Sequence, residues 1–157
     1  MTLREKLEAG RFVMTAEVTP PVSMARSDLV DRAMPLKGLA DAVNVTDGAG
    51  ARPHLGALTA AAMLLAEGIE PILQLTCRDR NRIALQSDLM SAAALGIDNL
   101  LMLRGDNPDA GDQPEAKGVF DIDTRTLMTT ARELRDKGVL PPSRTVAGHA
   151  NFFIGGA

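Results

Sequence analysis

The chain has 157 residues, 45% of them hydrophobic and 24% charged, a balance that excludes intrinsic disorder and fibrous repeats and suits one globular domain over residues 1–157. Its 17 basic and 20 acidic side chains give a net charge of −3, and its only aromatics are four phenylalanines, which disfavours a nucleic-acid partner. The single cysteine, Cys77, rules out an intrachain disulfide framework and suits a reducing compartment.

The opening Met1–Glu8 carries charges where a secretory leader needs an apolar run, and no window approaches the ~18 apolar residues of a membrane span. A cytoplasmic protein with no membrane partner is expected. Phe12 to Val18 is rich in strand-forming residues and is stopped by Pro20-Pro21, which cannot continue a ladder. Ser27 or Asp28 can cap a helix with Leu29, Val30, Ala33 and Leu36 at helical spacing, and Pro35 predicts a kink or an early end. Ala42 to Thr46 reads as a second strand, followed by the turn Asp47-Gly48-Ala49-Gly50 and a helix carrying Leu55, Leu58, Ala62 and Leu65, ended by Gly68.

Pro71 to Thr76 is the third strand. Asp79 to Leu95 is a helix closed by Gly96, and Asn99 to Leu103 is the fourth strand. A polar stretch from Gly105 to Gly118 precedes a helix over about Asp123 to Lys137, and Asn151 to Ile154 reads as a fifth strand. Strand starts near 12, 42, 71 and 99 repeat at close to the ~30 residues of a strand, helix, strand unit, so the class is α/β with parallel strands. The residues alone leave two architectures, a doubly wound open sheet or part of an eight-stranded barrel, whose full length is typically about 250 residues.

In both architectures ligands meet the carboxyl ends of the strands. Glu17 lies in the first strand among apolar neighbours, where burial would favour its protonated form and suit it to general-acid work; a structural hydrogen bond or salt bridge is an equal alternative. Thr46 and Asp47 follow the second strand, and Gln74, Thr76 and Cys77 close the third. Arg104-Gly105-Asp106 follows the fourth, where glycine allows a ligand close to the backbone and a carboxylate can accept hydrogen bonds from a heterocycle, or can form a turn before Pro108.

Gly48-Ala49-Gly50 lacks the third glycine of a dinucleotide fingerprint, since Pro53 stands there. Cys77 reads as a buried hydrophobe more readily than as a nucleophile. No His, Cys or carboxylate cluster has metal-ligand spacing, so no metal is expected. Lys6, Lys37, Lys117 and Lys137 all fall outside the strands, which disfavours Schiff-base chemistry.

Three stretches of this sequence resemble the methylenetetrahydrofolate reductase family. They are Ala16-Glu17-Val18-Thr19-Pro20-Pro21, Asn44-Val45-Thr46-Asp47, and the long run from Leu75-Thr76-Cys77-Arg78-Asp79-Arg80-Asn81-Arg82 through Ala94-Leu95-Gly96-Ile97 to Leu103-Arg104-Gly105-Asp106-Asn107-Pro108, with Phe120-Asp121-Ile122-Asp123 beyond. The resemblance implies a (β/α)8 barrel of TIM type, of which this chain would supply the first four to five β/α units. It implies flavin-dependent reduction of 5,10-methylenetetrahydrofolate to 5-methyltetrahydrofolate, a step of one-carbon metabolism that supplies methionine.

By the same resemblance, Glu17 matches the acid that assists opening of the methylene bridge to an iminium ion, which takes hydride from reduced flavin. Asp106 matches the carboxylate facing flavin and pterin, and Thr46 a threonine at the nicotinamide and flavin face. Asp47, Ala49, Gln74, Arg104, Gly105 and Asp121 fall on positions that contact FAD, although the family often has His where Gln74 stands. The implied partners are a folate substrate and NAD(P)H or another electron donor. An open part-barrel would expose strand edges, which asks for a homo-oligomer or a partner subunit. The alternative is a non-catalytic half-barrel that binds flavin or folate, or that needs a second chain to complete it.

Overall fold

A computed structural model describes all 157 residues. Helix α1 (Leu3–Glu8) was not foreseen as an element. It starts at a capping box in which Glu5 N–H donates to the Thr2 hydroxyl and Thr2 N–H to the Glu5 carboxylate, so two free amide donors are satisfied reciprocally. Strand β1 (Thr15–Val18) is shorter than the predicted Phe12 to Val18. Phe12 is 90% exposed, and Met14 bonds with Asp41 outside the ladder.

Helix α2 (Arg26–Ala33) corrects the expected cap: Ala25 occupies the N-cap without a side-chain bond, and the Asp28 carboxylate instead accepts from Ser23 Oγ at 2.5 Å. Pro35 lies in a 3₁₀ turn, Met34–Leu36, that follows directly, the early end that its missing N–H predicts. Strand β2 (Ala42–Val45) stops one residue short of Thr46. A 3₁₀ turn at Ala49–Ala51 leads to α3 (Ala57–Ala66), which closes before Gly68 at φ +74°.

Strand β3 (Pro71–Thr76) is buried along its whole length. Helix α4 (Arg82–Ala94) begins three residues later than predicted, because Asn81 Oδ1 accepts from the Ile83 and Ala84 amides and Asp79 is engaged by Arg78. Strand β4 (Asn99–Leu103) and helix α5 (Thr124–Lys137) fall where the sequence puts them; Asp123 caps α5 through the Thr126 amide at 2.7 Å, and Gly138 follows at φ +65°. A small antiparallel hairpin, β5 (Val139–Leu140) with β6 (Arg144–Thr145), was not predicted. The last strand, β7 (Phe153–Gly156), lies two residues beyond the expected span.

The main sheet has the order β1-β2-β3-β4-β7 and every neighbouring pair is parallel. A strand order that never reverses puts every right-handed crossover on the same face, so the doubly wound alternative is excluded. The arrangement is that of a wall segment of a β/α barrel.

The two faces of the sheet differ accordingly. On the helical side, Val18, Val43, Val45, Leu73, Leu75, Leu100 and Met102 join the buried stripes of α2 to α5 in one core of 25 residues. The opposite face carries Glu17, Asn44, Gln74, Thr76 and Asn99, positions that alternate with the core set. Its amino-terminal end is closed by Leu3, packed on Ala42 and Ile72. Glu70 holds α1 there by accepting from the Leu3 amide at 3.0 Å and the Asn99 side chain at 2.8 Å.

Candidate functional site

Because all five strands run the same way, their carboxyl ends share one rim. Glu17 near the end of β1 and Asp106 after β4 are three strand spacings apart, about 14 Å around the wall at ~4.8 Å per spacing. The sequence-predicted residues therefore gather along one edge, with polar side chains between them.

Glu17 is exposed, which corrects the expectation of a carboxyl buried in its strand. It projects from the non-helical face, where its strand neighbours Ala16 and Val18 do not cover it. Gln74 Nε2 approaches Glu17 Oε2 at 3.5 Å across β2, the outer limit of a hydrogen bond. Thr46, one residue past β2, is 94% buried, with relative exposure 6%, yet its hydroxyl Oγ1 has no hydrogen-bond partner. A buried hydroxyl without a partner costs free energy, about 1–3 kcal/mol. It is the one polar side-chain oxygen of the fold left in that state.

Asp47 is engaged by the protein itself. Its Oδ2 accepts from the Thr76 amide at 2.8 Å, from the Thr76 hydroxyl at 3.2 Å and from Arg80 Nη2. Arg80 reaches on to Asp88 of α4 at 3.0 Å. Burial pushes the Asp88 carboxyl up from its ordinary value, with Arg80 pulling it back. Ala49 lies in the turn after β2, and its carbonyl faces His54 Nε2 at 3.3 Å.

After β4, Arg104 stacks its guanidinium over the Phe120 ring, 4.1 Å from the centroid. Phe120 has φ +41°, a conformation that non-glycine residues seldom adopt. Gly105 has φ +86°, and a Cβ there would meet Arg78 Cβ at 3.1 Å and Thr76 Cβ at 3.2 Å, so only glycine lets this turn lie against β3. Asp106 is exposed beside it.

Asp121 pairs with Arg82 at the start of α4, accepting from the Arg82 amide at 2.9 Å and its Nε at 2.8 Å. These side-chain bonds first, and then the backbone bond, pull the Asp121 carboxyl from 3.8 down to about 2. A depressed folded value means that its stabilisation is complete above the unfolded value and is lost as pH falls through the folded one. Acid titration of the wild type and Asp121→Asn should therefore show the variant less stable above pH 4, the difference vanishing as pH falls from about 4 to about 2. A gap that persists below that range would mean that the pair is not the source.

Cys77 is fully buried, and burial pushes its thiol up from the ordinary value, which suits packing and not nucleophilic attack. No group of three or more His, Cys, Asp or Glu side chains could hold a metal ion, and no helix is long and apolar enough to cross a membrane.

Two rim residues escaped the reading of the sequence. Arg78 is 97% buried, with relative exposure 3%, and Arg80 links the ends of β2 and β3 to α4. The available signal was the alternation Arg78-Asp79-Arg80-Asn81 directly after a strand end, where charges must either meet a ligand or each other.

A concavity of about 610 Å³ is elsewhere. It lies between α5 and the free edge of β7, lined by Arg125, Met128, Arg132 and Ile154 among others, and includes none of the residues nominated by the sequence. Size alone does not locate chemistry, and the rim holds the unpaired buried hydroxyl and the convergent polar groups.

Among family models, one described as Methylenetetrahydrofolate reductase matches residues 2–136 of the chain. A search of curated proteins found no match.

Proposed function

The chain belongs to the methylenetetrahydrofolate reductase family, and from that premise we propose that its rim binds FAD and takes part in reducing 5,10-methylenetetrahydrofolate to 5-methyltetrahydrofolate. The observation that carries this reading is the buried, unpartnered Thr46 hydroxyl, which a bound ligand with polar ring atoms would satisfy. The residues present fit such a group in part. Thr46, the close backbone at Gly105 and the Arg104 guanidinium stacked on Phe120 can meet a planar, anionic cofactor. Asp47 has one oxygen saturated, and Asp121 is committed to Arg82, so these two serve the loops that carry the site before they serve a ligand.

Flavin, when bound, supplies hydride chemistry. The chain's own task is orientation and proton handling. Glu17, open on the face that a substrate would meet, gives its proton to the amine nitrogen that leaves as the methylene bridge opens, the C–N bonding pair going to that nitrogen. Gln74 restrains the Glu17 carboxyl from β3, reaching across β2. Asp106 stands across the rim as a second exposed carboxylate, able to accept hydrogen bonds from a heterocycle. An electron donor such as NAD(P)H completes the cycle under this reading.

Purified chain titrated with FAD should show the perturbed absorbance of bound flavin, and reduced flavin on the protein should be reoxidised by methylenetetrahydrofolate. Absence of both overturns the proposal. Bound flavin with no folate-dependent reoxidation would favour the non-catalytic reading instead, which has on its side that β1 and β7 each leave one edge unpaired.

A further inference from the structure

Three loops at the rim converge on one residue, through its side chain and its main chain. Arg78, directly after β3, is buried, and its Nη2 donates to the Gly48 carbonyl in the β2 loop at 3.0 Å. Its own carbonyl accepts from the Val119 amide, at the far end of the β4 loop, at 2.6 Å. Its Cβ lies under Gly105 at the near end of that loop, and a Cβ built at Gly48 would collide with the guanidinium. Asp79 grips the fork through two bonds of 2.7 Å.

We propose that Arg78 is the positioning residue of the site: it holds the β2 loop, with Asp47 and Ala49, and the β4 loop, with Arg104 to Phe120, in one mutual arrangement. The proposal rests on the flavin reading above for its functional consequence, but not for its structural content. The geometry requires a fork. Nη2 donates both to the Gly48 carbonyl and to Asp79 Oδ2 while Nε donates to Asp79 Oδ1, and both left-handed glycines leave the space that the side chain fills. Lysine, with a single ammonium, cannot make both contacts in the same directions. The hydrogen bonds to Asp79, and after them the charges of Asp79, Asp47 and Asp106, push Arg78 further up from an already high value, so its cationic form is constant across working pH.

The test uses Arg78→Lys, Arg78→Met and Gly48→Ala in the full chain, read by amide hydrogen exchange and by FAD titration. In Arg78→Met, the loops at 47–52 and 105–120 should both exchange faster, by about tenfold or more as a charge-assisted bond is lost, while Leu73 and Met102 in the core strands stay protected. Arg78→Lys should fall between. Gly48→Ala, which displaces the guanidinium from the opposite side, should loosen the β4 loop at Gly105 and Val119, the ends that Arg78 meets, more than at Gly111, which lies directly against Ala51 of the β2 loop. This arm decides the matter if Arg78→Met does not fold.

FAD affinity should weaken in parallel with the loosening, and Arg78→Lys should recover part of it. Faster exchange in one loop only, or in neither, overturns the proposal. So does unchanged FAD affinity in an Arg78→Met protein whose two loops are loosened. If the wild type binds no FAD, the flavin reading fails by itself, and the exchange results still decide whether Arg78 couples the loops.

Discussion

Glu17→Gln is expected to lower folate-dependent reoxidation of bound flavin by about 10²- to 10⁴-fold, the range a general acid contributes, while flavin affinity stays unchanged. The amide keeps the shape of the side chain and its neighbour Gln74, but it has no carboxyl proton to give. Since Glu17 is exposed on its strand, the exchange should alter stability by no more than about 0.5 kcal/mol, so loss of turnover is not confounded by unfolding. Rapid mixing of reduced, flavin-loaded protein with methylenetetrahydrofolate measures the step directly. Glu17→Asp gives the control: the acid is retained but withdrawn by one methylene, and turnover should be intermediate. Equal rates in wild type and Glu17→Gln would return Glu17 to a structural part and leave the proton to another group.

The parallel strands were legible because each is a short apolar run ended by a turn residue, and α3, α4 and α5 are followed by glycines that adopt positive φ, Gly68, Gly96 and Gly138; their order was not, since the residues alone left a doubly wound sheet open. What escaped was decided by contacts between distant residues. The amino-terminal helix depends on Glu70, 67 residues away, to anchor Leu3, and strand β1 loses Phe12 to Met14 because no neighbouring strand reaches them. The start of α4 moved because Asp79 is drawn to Arg78 and Asn81 takes the cap.

At the rim, the sequence grouped these residues along one edge but did not give the state of their side chains. Position within an apolar strand suggested a buried Glu17, whereas the side chain lies on the face without helices. The resemblance put Asp47 and Asp121 at positions that contact FAD, and the structure engages them in ion pairs with Arg80 and Arg82. Arg78 could not be singled out because its role arises from three loops that meet only in the fold.

Register at β7 gives the largest expected loss of stability. The sequence offers Phe152 and Phe153 side by side, and in a strand adjacent residues face opposite sides, so only one can enter the core. Phe152, immediately before β7, has no exposed surface and packs with the helical layer. Phe153 pairs with Asn99 on the ladder and is half-buried on the other face. Phe152→Ala should therefore cost about 3–5 kcal/mol, the transfer term plus the cavity left in a packed core, a large part of the about 5–15 kcal/mol that holds a domain together. Phe153→Ala should cost less than half as much.

The Arg135 Nη1 bond to the Phe152 carbonyl and the Phe153 amide bond to Asp98 are backbone contacts that either alanine keeps, so the comparison isolates the rings. Urea unfolding of the two variants at equal m value measures it. A Phe153 variant as damaged as the Phe152 variant would mean that β7 sits one residue out of the register described, with Ile154 and Gly155 exchanging faces. The wall opposite Leu100 and Leu101 would then have to be redrawn, whereas the rim formed by β1 to β4 would stand as it is.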